Sequence, residues 1–418
     1  MARIAYLSPM PPATTGVATY SSAVVRDLRA TGFGSRHRLD VPSPREAYST
    51  AVRRGDMAVY HIGNNLRFHG EIYDLALRRP GLVVLHDLAL DDLAKGLLDT
   101  GDPFGTRTRE EALAAAERME GPALEGPLGT PWCALVARRA RGVIVHALFA
   151  KRYLEGFGCR TPVHVVPHPV LPPASWRSRL RGRRLRAGIS GRTVVGVLGD
   201  IGRAKAIDSV LDALAPMGPS VHLAVVGRRI PGYDVEAEIT SRGMDDRVTV
   251  AADVTDSEFT AWLLACDVLV NLRHPHRGEV SGTLVRGMQE GIPTVVSPVG
   301  TYLDWPEGTV VRTAPGPPDA DTLAATLEEL VADPERRREI GRRARSHMAE
   351  LAQDRTTARG YEAAVNRTLG LLRDPAEAAV GRWAGALADM GSTSESVRRG
   401  LGVGYLDALE EIVSEPTT

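Results

Sequence analysis

Two successive series of short apolar runs, each alternating with helical patterns, constrain this chain more than any other feature. The first series runs Ile4 to Ser8, Met57 to Ile62, Leu82 to His86, Val143 to His146 and Val163 to Val166. The second runs Thr193 to Leu198, His222 to Val226, Val248 to Val250, Val268 to Leu272 and Thr294 to Ser297. Short apolar runs separated by helical stretches predict parallel strands with crossover helices, so the fold class is α/β with two doubly wound sheets. A chain of 418 residues also exceeds what a single core usually organises. The proline-rich joint from Pro169 to Pro173 separates the series. Expected boundaries are a first Rossmann-like domain over 1–172, an arginine-rich linker over 173–191, a second Rossmann-like domain over 192–357, and a helical extension over 358–418.

Within the second series, Arg277 to Gly291 (RGEVSGTLVRGMQEG) carries the most chemistry. It follows the buried strand ending near Leu272, and Leu284, Val285 and Met288 then recur at helical spacing. Ser281 fits an N-cap, and Gly282 lets a ligand approach the backbone. With Thr283, this turn offers free N–H groups at the positive end of a helix dipole, which suits a phosphate. Glu279, just outside the helix, can accept hydrogen bonds from sugar hydroxyls. Gly291 ends the helix before the next strand. An ordinary strand-loop-helix unit would show many of the same residues, so the motif needs support from elsewhere.

Three other places supply it. The loop after the first strand, from Pro9, enters a helix near Gly16, again an N-terminus open to an anion. His86 and Asp87 follow an apolar strand, at the carboxyl end where α/β sheets bind ligands, and Gly63 and Asn64 follow another strand in the same way. In the second domain, Gly199 to Asp208 places Arg203 and Lys205 in a loop just before a helix, a pair of cations suited to a diphosphate.

The Arg277–Gly291 stretch resembles the donor-binding signature of GT-B glycosyltransferases, specifically the retaining family four. That pattern has a Glu, a Gly-rich turn, a second Glu opening an Ala-Met-Ala helix, then Gly-x-Pro before a strand. Glu279, Met288, Gly291 and Pro293 fit it; Arg286 stands at the second Glu. Lys205 aligns with the Lys of the family's Gly-Arg…Lys-Gly motif, whereas Asp200 stands at its Arg, and Arg203 is expected to supply that charge. The resemblance implies two domains facing across a cleft. It also implies retaining transfer of a sugar from a nucleotide diphosphate sugar to a hydroxyl acceptor, a secondary metabolite or a glycan, without metal or other cofactor. Under it, His86 and Glu279 act on the sugar. Gly16, Arg203, Lys205, Ser281, Gly282, Thr283 and Arg286 contact the donor, and Gly63, Asn64 and Asp87 shape the acceptor side. Arg286 can only donate hydrogen bonds, so it is expected to meet donor phosphate, or failing that a protein carboxylate such as Glu279.

Composition narrows the alternatives. With 51 basic and 51 acidic side chains the formal charge is zero, so no global field draws the chain to nucleic acid or membrane. The three cysteines are widely spaced and lack metal-ligand spacing; buried, reduced thiols and a cytoplasmic setting are expected. No signal-like start and no run long enough to span a bilayer is evident. Arginines from Arg177 to Arg192 read as a solvated helix, since aromatic interleaving stops at Trp176. Thr106 to Gly129 reads as a helix-like stretch passing into a mobile loop over the acceptor side. The tail from Asp374 reads as helical, either packed on the first domain or forming a homodimer contact. Two rival functions remain: another GT-B activity, epimerase or phosphorylase, and a degenerate sugar-nucleotide-binding partner in which Asp200 and Arg286 mark lost catalysis.

Overall fold

The computed structural model describes residues 1–42, 47–119 and 126–373, and in it each apolar series builds its own sheet. The first comprises β1 (Ala2–Leu7), β2 (His37–Asp40), β3 (Met57–Ile62), β4 (Leu82–Leu85), β5 (Gly142–Val145) and β6 (Val163–Val165), in the order β2-β1-β3-β4-β5-β6. The second comprises β7 (Thr193–Leu198), β8 (Val221–Gly227), β9 (Val248–Ala252), β10 (Val268–Asn271), β11 (Thr294–Val296) and β12 (Val311–Arg312), in the order β12-β11-β10-β7-β8-β9. Neighbouring strands pair in parallel throughout. Strands such as β3, β4 and β5 are buried along their whole length, as sheets covered by helices on both faces require.

The strand orders fix where ligands can bind. In the first sheet the chain runs outward from β1 to β2 and then resumes on the other side of β1 with β3. In the second it runs outward through β7, β8 and β9, then returns to the other side of β7 with β10. Each reversal opens a crevice at the carboxyl ends of the two strands flanking it. Those ends carry the Ser8–Gly16 loop and Gly63 in one sheet, and the Gly199–Lys205 loop and the Asn271–Gly282 loop in the other.

Helix Thr356–Arg373 packs Ala358, Tyr361, Ala364 and Val365 onto Ile4, Tyr6, Val84 and Ile144, so the chain's late helix returns to the first sheet. Helix Trp176–Gly188 packs on helix Asp256–Ala265, and Gly182 sits where a Cβ would strike the Ala261 carbonyl. Its solvent side exposes Trp176 and Leu180, while Arg179, Arg181 and Arg186 pair with Glu290, Glu258 and Asp267. The three cysteines are buried and unpaired. Helix Pro103–Ala116 occupies much of the stretch expected to end as a mobile loop, and Gly126–Leu128 is a 3-10 turn. Residues 120–125 of that stretch, and the tail 374–418, lie outside the described residues. Among the described residues, no helix is long and apolar enough to cross a membrane.

Candidate functional site

At the end of β10, Asn271 organises a buried polar knot. Its Oδ1 accepts hydrogen bonds from Lys205 Nζ at 3.0 Å and from Arg273 Nη1 at 3.1 Å, and its Nδ2 donates to Ser281 Oγ at 2.9 Å. Lys205 also donates to the Leu198 carbonyl at 2.8 Å, and its side chain is almost wholly buried. Burial, and then the Arg273 charge, press the Lys205 ammonium well below the ordinary lysine value, against weaker support from Asp200 and Glu279. At the ends of the paired strands β7 and β8 two backbones nearly touch: a Cβ at Gly227 would collide with the Gly199 carbonyl, and both residues have positive φ.

Ser281 caps helix Gly282–Glu290 by accepting from Leu284 N at 3.3 Å, and Gly291 closes that helix at φ 73°. Nothing stands within 4 Å of a Cβ placed on Gly282, so with Thr283 the helix start is open to a ligand. Glu279 is tied down: Arg273 Nε donates to its Oε1 at 2.7 Å and the Arg277 backbone N–H to its Oε2 at 2.9 Å. Burial alone would raise its pKa, but the Arg273 charge and the backbone donors hold it below the usual carboxylate range.

On the first domain, His86 Nε2 lies 3.0 Å from His61 Nδ1, and its ring meets Tyr20 edge-on at 4.6 Å between centroids. Burial and the surrounding imidazoles push His86 well below the ordinary histidine value, so it is neutral. Asp87 Oδ2 accepts from the Asn64 backbone N–H at 2.9 Å; burial, then the Glu279 charge, raise its carboxyl to about 7. Gly63 is held clear because a Cβ there would crowd His69 and Asp87. The Asn64 side chain is consumed locally: it accepts from Asp92 N and Leu93 N and donates to Asp91 and Asp92. It therefore shapes the helix start at Asp91.

The two domains meet at this point. Leu88 N and Ala89 N donate to the Arg277 carbonyl at 3.0 and 3.1 Å, and the Arg277 guanidinium pairs with Asp91 and Asp92. Gly16, at the head of helix Gly16–Ala30, has nothing within 4 Å of a Cβ placed on it, so that helix start also stands open.

The structure places two of the expected donor-side cations, Arg203 and Arg286, against protein groups. Arg203 is exposed over the Tyr233 ring, 5.8 Å from its centroid, and Arg273, which the sequence reading passed over, is the cation that joins Lys205. The signal for it was its place two residues beyond the end of β10. Arg286 finds a protein carboxylate, but not Glu279: Nη2 donates to Asp256 Oδ1 at 2.8 Å, and Nη1 to Thr260 Oγ1 at 3.3 Å. Asp200, for its part, pairs with exposed Arg228. Arg286 and Asp256 line a cavity of about 260 Å³ that also takes in Thr19 of the first domain and Leu171 to Ser175 of the joint.

Two doubly wound sheets with facing crevices define a GT-B protein. Residues 186–347, most of the second domain, match the family described as Glycosyl transferases group 1. It is 29% identical over 184 residues to a 2-deoxystreptamine glucosyltransferase of Streptomyces kanamyceticus, covering 41% of this chain and 46% of that protein. A D-inositol 3-phosphate glycosyltransferase of Arthrobacter sp. (strain FB24) is 32% identical over 151 residues, 34% of each chain. The matches thus span less than half the length of these relatives. Among solved structures, Anabaena HepE in complex with UDP-glucose superposes with a TM-score of 0.60 at 16% identity, covering 88% of this chain and 100% of that one. Sucrose-phosphate synthase from Thermosynechococcus elongatus gives 0.61 at 16% identity over 87% and 98%. At this identity the likeness is one of fold.

Proposed function

We propose that this protein transfers a sugar from a nucleotide diphosphate sugar to a hydroxyl acceptor, with retention at the anomeric carbon and without a metal ion. The observation that carries this reading is the knot at Asn271: Lys205 and Arg273 converge on one amide oxygen beside the open start of helix Gly282–Glu290. As the glycosidic bond breaks, negative charge grows on the departing diphosphate while the sugar becomes oxocarbenium-like. Fixed cations and backbone N–H groups stabilise that charge without having to reorganise. Glu279, held by Arg273 and the Arg277 backbone, orients the sugar hydroxyls, and neutral His86 meets the sugar from the first domain. The leaving phosphate accepts the acceptor's proton, so the chemistry asks for no protein nucleophile.

HepE, a fold neighbour, was solved with UDP-glucose, which makes UDP-sugars the first donors to test. Purified protein would be incubated with UDP-, GDP-, ADP- and dTDP-sugars and a panel of hydroxyl acceptors, with the product's anomeric configuration read by NMR. A product of inverted configuration would overturn retention, and loss of turnover in chelator would overturn metal independence. Sugar phosphate formed only with inorganic phosphate would make the protein a phosphorylase, and an epimerised donor an epimerase. Tight donor binding with no turnover would mark the degenerate partner.

A further inference from the structure

His86 is not alone behind the cleft. His61, His86, His146 and His168 all place their rings within 5.9 Å of the Tyr20 ring, centroid to centroid. Resting on the transferase reading above, we infer that His61 is a positioning residue that holds His86 in its Nδ1–H tautomer and thereby fixes a hydrogen-bond donor toward the cleft.

Three neighbouring histidines have ring protons that can be placed. His69 Nδ1 lies 2.9 Å from the His61 carbonyl, His146 Nδ1 3.0 Å from the Val166 carbonyl, and His168 Nδ1 2.9 Å from the Pro169 carbonyl. A carbonyl oxygen can only accept, so each of these rings carries its proton on Nδ1. His61 and His86 instead face each other, Nδ1 to Nε2 at 3.0 Å, and one nitrogen must donate while the other accepts. Both rings are neutral, because burial and the neighbouring imidazoles disfavour a second proton on either. Only two arrangements remain.

His61 decides between them. Its side chain is wholly buried, and its Nε2 has no partner among the described residues. If His86 donated, the single proton of His61 would sit on that Nε2 as a buried N–H without an acceptor. If His61 donates through Nδ1, only a bare nitrogen is stranded, as already holds for His146 Nε2. Orphaned buried N–H groups are the rarer defect. With His61 donating, His86 Nε2 is the acceptor and its proton lies on Nδ1, the nitrogen that has no partner among the described residues and is not sealed from solvent. The ring therefore offers the cleft a donor, suited to a sugar hydroxyl or carbonyl oxygen, and not a base.

The test reads the tautomer directly. In wild-type protein labelled with 15N-histidine, long-range 1H–15N correlations assigned through His86→Gln should show His86 protonated on Nδ1; protonation on Nε2 would overturn the inference. His61→Asn, whose amide N–H can replace the donor, should keep that tautomer and hold kcat near wild type. His61→Phe keeps a ring but no donor, so it should mix the His86 tautomers and lower kcat roughly tenfold, the worth of about one hydrogen bond, with donor KM little changed. Wild-type kcat in a folded His61→Phe would overturn the positioning role; should that variant not fold, the wild-type spectrum and His61→Asn still decide. The spectrum needs no turnover, so an inactive wild type would count against the proposed function alone.

Discussion

Arg273 and Glu279 are bound to each other across the turn that leads into helix Gly282–Glu290, guanidinium Nε to carboxylate Oε1 at 2.7 Å, with both side chains more than four-fifths buried. The pair joins the two chemical roles of the site. In the proposed function Glu279 is the group offered to the sugar and Lys205 the group offered to phosphate, and Arg273 reaches through Asn271 to Lys205. Whatever loosens one alters the other.

Glu279→Gln should therefore do more than remove a sugar contact. A ligand-facing carboxylate would add little to stability, but this one neutralises a buried guanidinium, and breaking such a pair costs on the order of 2 kcal/mol or more. Melting temperature should fall by several degrees. The freed Arg273 should meanwhile bind a free nucleoside diphosphate more tightly even as transfer drops, and Arg273→Gln should weaken that binding. Thermal unfolding and calorimetric titration check both; an unchanged diphosphate affinity in the two variants would remove Arg273 from the anion site.

Diphosphate binding should also take up a proton. Burial and Arg273 depress the Lys205 pKa in the empty site, and an arriving anion reverses the balance by favouring the ammonium. At any pH between the empty and the bound pKa, protonation accompanies binding. Titrations in buffers of different ionisation enthalpy measure the uptake. It should vanish in Lys205→Met, whose affinity for the diphosphate and for the intact donor should fall together.

Asp87 gives a stability signature of opposite sense to the usual carboxylate. Its folded pKa of about 7 lies above the value of about 4 expected for an unfolded aspartate. The folded state then binds the proton more tightly than the unfolded one, so this stabilisation is complete below about pH 4 and is lost as pH rises toward 7. Asp87→Asn retains an acceptor for the Asn64 N–H and carries no charge beside Glu279. It should melt near the wild type at pH 4 and above it at pH 8; a melting difference independent of pH would contradict the assignment.

The site's frame was legible from strand ends. His86, Lys205 and Ser281 each follow an apolar run, and parallel sheets gather such positions at one edge, which is why local sequence located them. The strands β2 and β12 were missed because His37–Asp40 is polar and Val311–Arg312 is only two residues long; both take their pairing from a neighbour. Arg273 was missed for another reason. Its role depends on Asn271, Lys205 and Glu279 meeting in space, and nothing in its flanking residues announces that. Arg203, two residues before Lys205 in sequence, was expected to supply the second cation because sequence neighbours look like spatial ones, yet in the 3-10 turn Arg203–Lys205 the lysine turns inward and Arg203 turns to solvent.

Arg286 has the partner a mid-helix cation beside an anion site needs, but that partner belongs to the protein. Asp256 stands in the first turn of helix Asp256–Ala265, where negative charge is favourable with the dipole, and it holds the Arg286 guanidinium at 2.8 Å. Asp256 is three-quarters exposed, so the pair is worth no more than about 1 kcal/mol to the fold. Arg286→Ala should accordingly leave the melting temperature within a few degrees of wild type. Its effect on the donor is expected through the shared cavity, where Arg286, Asp256 and Thr260 present alternating donors and acceptors beside the joint. If donor and pair meet there, Arg286→Ala and Asp256→Ala should each weaken donor binding, and the double variant should lose less than the sum, because each residue orients the other. Arg286→Glu should be worse than Arg286→Ala, since it sets a second carboxylate against Asp256. Donor titrations of all four proteins settle the matter: full affinity in Arg286→Ala excludes a donor role, and tighter binding in Arg286→Glu would mean that a carboxylate at this position still finds a ligand hydroxyl despite Asp256.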